Sequence, residues 1–142
     1  MPRAVARPDP RHLNRSAAEF GPIKYDGAVK PFSIDVQRTD GYVRVILAGE
    51  LDIATHGDAD VVLRDVQDAG SPLVVLDLRE LKFMDSTGLR LLVQADSRAR
   101  ESGQRLAIVR GPEAVHRVLE ITGLDAKLDL IDDPADVTRA AD

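Results

Sequence analysis

The sequence predicts a single α/β domain built on a mixed β-sheet, and three observations lead to this fold class. Two short apolar segments flank a turn at Asp40-Gly41, which indicates an antiparallel hairpin. Helical and strand-like periods then alternate along the rest of the chain, as in proteins whose parallel strands are joined by helices. The length of 142 residues accommodates one such domain.

The hairpin and the central strand are predicted from their hydrophobic patterns. Residues 32–36 alternate apolar and polar side chains, as a half-buried strand does, and residues 42–48 form a second, more apolar strand. A helical period follows and ends at Gly70, a residue type that favours helix C-termini. Residues 72–78 run apolar without interruption, which predicts a central strand that is covered on both faces.

The second half of the chain continues the alternation of helices and strands. A helix is predicted from Ser86 to Gly103, and the residues expected on its inner face are Leu89, Leu92, Val93 and Ala99. The remaining predicted elements are a strand at 106–109, a helix from Pro112 to Gly123, a strand at 128–131 and a short helix or frayed end at 132–141.

Charge divides the chain into two parts. Residues 1–31 hold six basic and three acidic residues, a net charge of +3, together with five prolines and little periodicity. They are therefore predicted to form a flexible basic N-terminal tail. Residues 32–142 hold 13 basic and 21 acidic residues, a net charge of −8, and form the predicted domain.

Composition excludes several classes of function. The overall net charge of −5 argues against a general nucleic-acid binder, which needs clustered lysines and arginines. The chain has no cysteine, so it has no disulfide scaffold, thiol nucleophile or thiolate metal site. No apolar run approaches the length of a membrane helix and no signal sequence is apparent, so we expect a cytoplasmic protein with no membrane partner.

The segment that follows the central strand carries the predicted chemistry. Ligand and modification sites of open α/β sheets lie beyond the carboxyl ends of the strands. Asp85 or Ser86 is expected to cap the second helix, and Gly88 to allow its first turn a close approach. A phosphate on Ser86 would meet free N–H groups and a favourable helix dipole. The same residues are also a simple helix-start signal.

Four motifs in this order resemble the STAS domain family, specifically the bacterial anti-sigma factor antagonists. The resemblance covers residues 32–131. The motifs are Gly49-Glu50-Leu51-Asp52, Val75-Leu76-Asp77-Leu78, Phe83-Met84-Asp85-Ser86-Thr87-Gly88-Leu89 and Leu119-Glu120-Ile121-Thr122-Gly123-Leu124.

The resemblance implies a switch without catalytic residues, cofactor or metal. It implies that Ser86 is phosphorylated by an anti-sigma factor that is also a serine kinase, and that Asp52, Asp85, Thr87 and Gly88 belong to the partner-binding surface. An unmodified antagonist captures the anti-sigma factor and releases a sigma factor, and a serine phosphatase restores the modified form. The chain departs from the family pattern in two places. Residues 56–58 stand where better helix formers are usual, and Arg90 stands where a small residue is common.

Three alternative classes of protein share some of these features. A phosphate-accepting receiver domain needs an acidic pair after its first strand, which is absent after the hairpin. A hydrolase needs a histidine base for Ser86, but His12, His56 and His116 are scattered and are interpreted as surface residues. A STAS scaffold or sensor module, or an accessory subunit of a larger assembly without sigma-factor control, remains open.

Overall fold

A five-stranded β-sheet forms the centre of the computed structural model, which describes residues 24–25, 28–29 and 32–137. Two further strands, β1 (Lys24–Tyr25) and β2 (Ala28–Val29), pair antiparallel with each other outside this sheet. Both lie within the predicted N-terminal tail, and the other residues of the tail fall outside the described residues. No helix of the described ranges is long and apolar enough to cross a membrane.

The predicted hairpin is confirmed. Strand β3 (Phe32–Thr39) pairs antiparallel with β4 (Tyr42–Leu51), and the turn between them contains Gly41 at φ +98°. Alternate residues of β3 are buried, because one face of the strand packs on the core and the other faces outward. Strand β4 continues three residues beyond the predicted end, and this extension carries the Gly-Glu-Leu-Asp motif towards the candidate site.

Helices and parallel strands then alternate, as predicted. The sheet order β3-β4-β5-β6-β7 follows the chain order, and every pair after the hairpin is parallel. The elements are α1 (His56–Asp68), β5 (Leu73–Met84), α2 (Ser86–Ser102), β6 (Arg105–Val109), α3 (Glu113–Thr122), a 3₁₀ turn (Leu124–Ala126) and β7 (Leu130–Ile131). Residues 135–137 are helical at the end of the described chain.

The three helices share the main core with one face of the sheet. Buried residues of β5 on this face, such as Leu76, join residues of all three helices, such as Leu63, Leu92 and Leu119, in one cluster. A second, smaller cluster around Val75 includes residues of β6 and lies on the other face. The centre of β5 is therefore covered on both faces, as its apolar run predicts.

Two sequence predictions need correction. Strand β5 runs to Met84 instead of ending at Leu78, because β4 keeps pairing with it after two shifts of register. The inner face of α2 is confirmed at Leu92 and Ala99, which are buried, but is wrong at Val93. Val93 is 37% exposed, whereas Leu91 is buried, because the helix begins by packing Gly88 against the strand ends and this sets its rotation.

Candidate functional site

The sheet brings two of the sequence motifs together at the carboxyl ends of β4 and β5. Leu51 pairs with Met84 in parallel register, and the backbone N–H of Asp85 donates to the carbonyl of Leu51 at 3.2 Å. Asp52 and Asp85 therefore leave neighbouring strands side by side. Gly49 has φ +98° and lies at a register shift, a bulge that redirects the end of β4 and that glycine adopts without strain.

Asp85 is the N-cap of α2, which resolves the choice between Asp85 and Ser86. Its Oδ1 accepts hydrogen bonds from the backbone N–H of Thr87 at 2.9 Å and of Gly88 at 3.2 Å, and from the Thr87 hydroxyl. Desolvation opposes ionisation of Asp85. The hydrogen bonds from Thr87 and Gly88, with one from the backbone of Ile53, nevertheless lower the pKa of Asp85 below its usual value. The cap is therefore an ionised carboxylate at neutral pH.

Ser86 is the first residue of α2 and is exposed. Its hydroxyl forms no hydrogen bond with any other described residue, in contrast to the hydroxyl of Thr87, which is held by Asp85. None of the described histidines lies within hydrogen-bond reach of the Ser86 hydroxyl, so this part of the chain offers no base of the Ser-His kind. The arrangement leaves the Ser86 hydroxyl exposed and free of hydrogen bonds within the described residues.

Gly88 follows Ser86 by two residues and is buried. A Cβ at this position would lie 2.6 Å from Cγ of Met84 and 2.9 Å from Cγ of Leu51. The absence of a side chain therefore lets the first turn of α2 rest on the ends of both strands, as the sequence predicts. Gly88 positions Ser86 and Thr87 but does not itself reach the surface.

Asp52 organises the loop between β4 and α1. Its Oδ1 accepts from the backbone N–H of Ala54 at 2.9 Å and of Thr55 at 3.2 Å. The buried hydroxyl of Thr55 accepts from the backbone N–H of Asp52 at 3.0 Å and donates to the carbonyl of Glu50 at 2.7 Å. Sequence reasoning missed Thr55, although its place three residues after Asp52 is the spacing of a reciprocal cap.

Two exposed apolar side chains also belong to this end of the sheet. Ile53 follows Asp52 directly and is 73% exposed, and Phe83 lies two residues before Asp85 and is 47% exposed. Sequence reasoning gave neither residue a role in the site. We call Asp52, Ile53, Phe83, Asp85 and Ser86 the switch surface. It combines apolar side chains with carboxylates, as the centre of a protein interface with a polar rim does.

A cavity of about 210 Å³ adjoins the switch surface between the beginnings of α1 and α2. Five of its six lining residues carry polar side chains. The residues that line it are His56, Asp60, Thr87, Arg90, Leu91 and Gln94.

A second cluster of potential ligands lies away from this end. The ligand atoms of His116, Glu120 and Asp125 lie within 4.8 Å of one another. However, the Arg110 guanidinium lies 3.3 Å from Nε2 of His116 and places a positive charge where a metal ion would bind. The sequence prediction treated the histidines as scattered. Glu120 lies one helical turn after His116 on α3, and the 3₁₀ turn after α3 adds Asp125.

Comparison with known proteins identifies the family. The family profile described as "Mlab, STAS domain" matches residues 34–132. The chain therefore belongs to the STAS domain family, as its four motifs indicate.

The most informative relatives are bacterial regulators. The anti-sigma-B factor antagonist of Staphylococcus aureus is 30% identical over 92 residues, which make up 65% of this chain and 85% of that protein. The crystal structure of an anti-sigma factor antagonist from Mycobacterium paratuberculosis is 26% identical with a TM-score of 0.67, covering 77% of this chain and 92% of that one. Unphosphorylated SpoIIAA shares the fold, with a TM-score of 0.65 at 19% identity over 77% of this chain and 96% of its own.

Proposed function

We propose that this chain is an anti-sigma factor antagonist, which binds an anti-sigma factor and thereby frees a sigma factor. The observation that carries the proposal is the switch surface itself, where Ser86, Ile53 and Phe83 are all exposed at the carboxyl ends of the neighbouring strands β4 and β5. The similarity to proteins named as such antagonists supports it. In this role the chain acts by binding and performs no catalysis.

The proposed switch is phosphorylation of Ser86 by an anti-sigma factor that is also a serine kinase. Ser86 Oγ forms a bond to the γ-phosphorus of ATP, the bond from that phosphorus to the bridging oxygen breaks, and ADP leaves. The hydroxyl proton passes to a base of the kinase. A serine phosphatase reverses the change by hydrolysis, which returns the hydroxyl and releases inorganic phosphate.

The free hydroxyl and the helix N-terminus explain how one phosphate can act without refolding the domain. The phosphate adds about −1.5 to −2 charges where the dipole of α2 favours negative charge, so the fold accommodates it. A partner docked on the switch surface instead meets added charge beside Asp52 and Asp85. A binding penalty of ~2–4 kcal/mol lowers affinity roughly 30- to 700-fold.

The modification is tested with the anti-sigma factor that co-purifies with the tagged chain from its host. Incubation with this protein and ATP, followed by mass spectrometry, is expected to show one phosphate on Ser86. Ser86→Ala is expected to remain unmodified, while Thr87→Val, which removes the neighbouring hydroxyl, is expected to be phosphorylated. Full phosphorylation of Ser86→Ala would show that the site is wrong.

The binding surface is tested by calorimetric titration of the same anti-sigma factor. Ile53→Ala and Phe83→Ala are each expected to weaken binding about 10-fold or more, because apolar anchors dominate interface energies. Ile121→Ala is the matched control, since Ile121 is 78% exposed in the last turn of α3. Equal affinities for Ile53→Ala and Ile121→Ala would contradict the proposed surface.

Asp52 needs a more conservative substitution, because its Oδ1 holds the β4–α1 loop. Asp52→Asn keeps this acceptor and removes the charge, and is expected to weaken binding several-fold. Unchanged affinity would remove the Asp52 charge from the interface. Recovery of a larger assembly that contains no anti-sigma factor would favour the alternative of a STAS scaffold or sensor module.

A further inference from the structure

Arg90 lies one helical turn after Ser86 on α2. It lies four residues later on α2 and is exposed, so the two side chains are neighbours on one helix face. A guanidinium at this distance can reach a group attached to the Ser86 oxygen. The sequence departs here from the family pattern, in which a small residue is common.

Arg90 also has no carboxylate partner within the described residues. The only other arginine of this part of the chain without one is Arg38, which is exposed in β3 near the hairpin turn at the opposite end of the sheet. The arginines that form ion pairs with carboxylates are Arg44, Arg64, Arg79, Arg98, Arg100, Arg105, Arg110 and Arg117. The donors of Arg90 are thus available to an anion.

The cavity beside Ser86 gives such an anion room. Arg90, His56 and Gln94 line it, and each carries nitrogen donors. Asp60 also lines it and would repel an anion, but its carboxylate is paired with Arg64 at 2.7 Å and faces Arg98 at 3.7 Å. The negative charge of Asp60 is therefore compensated by two guanidinium groups.

We propose that Arg90 binds the phosphate of phosphorylated Ser86 and holds it against α2 at the mouth of this cavity. The ligand is a phosphoserine dianion of the same chain, which the guanidinium grips through two parallel N–H donors. The inference rests on the proposed function, since it concerns the phosphorylated form. As a consequence, this chain stabilises its own inactive state, which is the form phosphorylated on Ser86. A small residue at position 90 would leave the phosphate without this contact.

The test uses full-length protein with phosphoserine placed at position 86 by genetic encoding, so that no kinase is needed. The second ionisation of the phosphate is followed by ³¹P NMR as a function of pH. Arg90→Gln is expected to move the titration midpoint to higher pH by about 0.2–0.7, because the neighbouring cation favours the dianion. Arg90→Lys is expected to restore part of the difference.

Arg38→Gln is the matched control. It removes the other exposed arginine that lacks a carboxylate partner, with the same change of net charge, and is expected to leave the midpoint where the parent protein has it. In about 1 M salt the effect of Arg90→Gln is expected to shrink, since the Debye length falls to about 3 Å. Equal midpoints for Arg90→Gln and Arg38→Gln would overturn the proposal.

The two proposals fail separately. Equal midpoints in this titration leave phosphorylation of Ser86 by a kinase intact. A kinase that modifies another residue overturns the proposed switch, whatever the encoded phosphoserine shows. The titration also separates an ion pair from a merely structural role for Arg90, because a change in packing alone does not move the phosphate midpoint.

Discussion

The centre of β5 and its carboxyl end use aspartate in opposite ways. Asp77 lies in the middle of the sheet and is 1% exposed, and it is neutralised by Arg44 at 2.8 Å and Arg79 at 2.9 Å. Asp85 follows the same strand and receives hydrogen bonds only from uncharged donors. The first carboxylate is part of a charge-compensated scaffold, and the second leaves its charge at the surface.

The pKa values of the two aspartates show the same contrast. Burial alone would raise the pKa of Asp77, but hydrogen bonds from Arg79 and Arg44 and the charge of Arg79 lower it. Desolvation would likewise raise the pKa of Asp85. Hydrogen bonds from Thr87 and from backbone N–H groups lower it instead. The charge of Asp85 therefore adds to that of a phosphate on Ser86, whereas the charge of Asp77 is already balanced by two arginines.

The largest expected effect breaks the scaffold. Asp77→Ala leaves Arg44 and Arg79 without their shared carboxylate, and we expect a loss of about 2–4 kcal/mol in the free energy of unfolding, because one partner of a buried ion pair is removed. Urea denaturation at neutral pH measures it. Asp129→Ala breaks a half-exposed pair with Arg105 and is expected to cost less than about 1 kcal/mol. Similar losses for both variants would contradict the contrast.

The next effect concerns the contact between helix and strand ends. Gly88→Ala is expected to destabilise the protein by about 1–3 kcal/mol, since its Cβ would overlap Met84 and Leu51. Gly57→Ala in α1 is the control, because no atom outside the adjacent residues and the nearby backbone of its own helix lies within 4 Å of its Cβ position. Alanine at 57 is expected to leave stability unchanged or to raise it by up to about 1 kcal/mol. Thermal unfolding distinguishes the two.

A smaller effect is expected from the cap itself. Asp85→Ala removes the acceptor for the N–H groups of Thr87 and Gly88, and a loss of about 1 kcal/mol is typical for an N-cap. Asp85→Asn retains an acceptor oxygen and is expected to lose only a few tenths of that. If chemical denaturation found equal losses for both substitutions, the charge and not the acceptor would be what matters.

Acid pH is expected to have the smallest effect, because it protonates the two aspartates and leaves their side chains in place. Both aspartates have folded pKa values below the unfolded value of about 3.9, so the folded state binds fewer protons than the unfolded state. Their contribution to stability is present above this value and is lost as the pH falls through the folded pKa values. Urea titrations between pH 2 and 6 are expected to show a shallower acid loss in Asp77→Asn. An unchanged slope would contradict the pKa direction of Asp77.

Local patterns predicted most of the elements because their causes are local. The alternation in residues 32–36, the turn glycine at 41 and the helix-ending glycine at 123 each act over a few residues. The extension of β5 to Met84 was not predictable in this way. Its polar residues gain strand geometry from pairing with residues 48–51 of β4, across two shifts of register.

Some features of the candidate site likewise have local causes, and others depend on contacts between distant residues. Periodicity and capping signals were enough to predict the α/β class and the helix start at Ser86, because they are properties of neighbouring residues. Gly88 was predicted to allow a close approach, but the contact with Leu51 that requires a glycine comes from the packing of α2 on the strand ends. Tertiary structure was needed to establish that Asp52 lies beside Asp85, that Ile53 and Phe83 stay exposed there, and that Arg90 has no carboxylate partner within the described residues. These depend on sheet register and on the packing of α2, which join residues that are more than thirty positions apart.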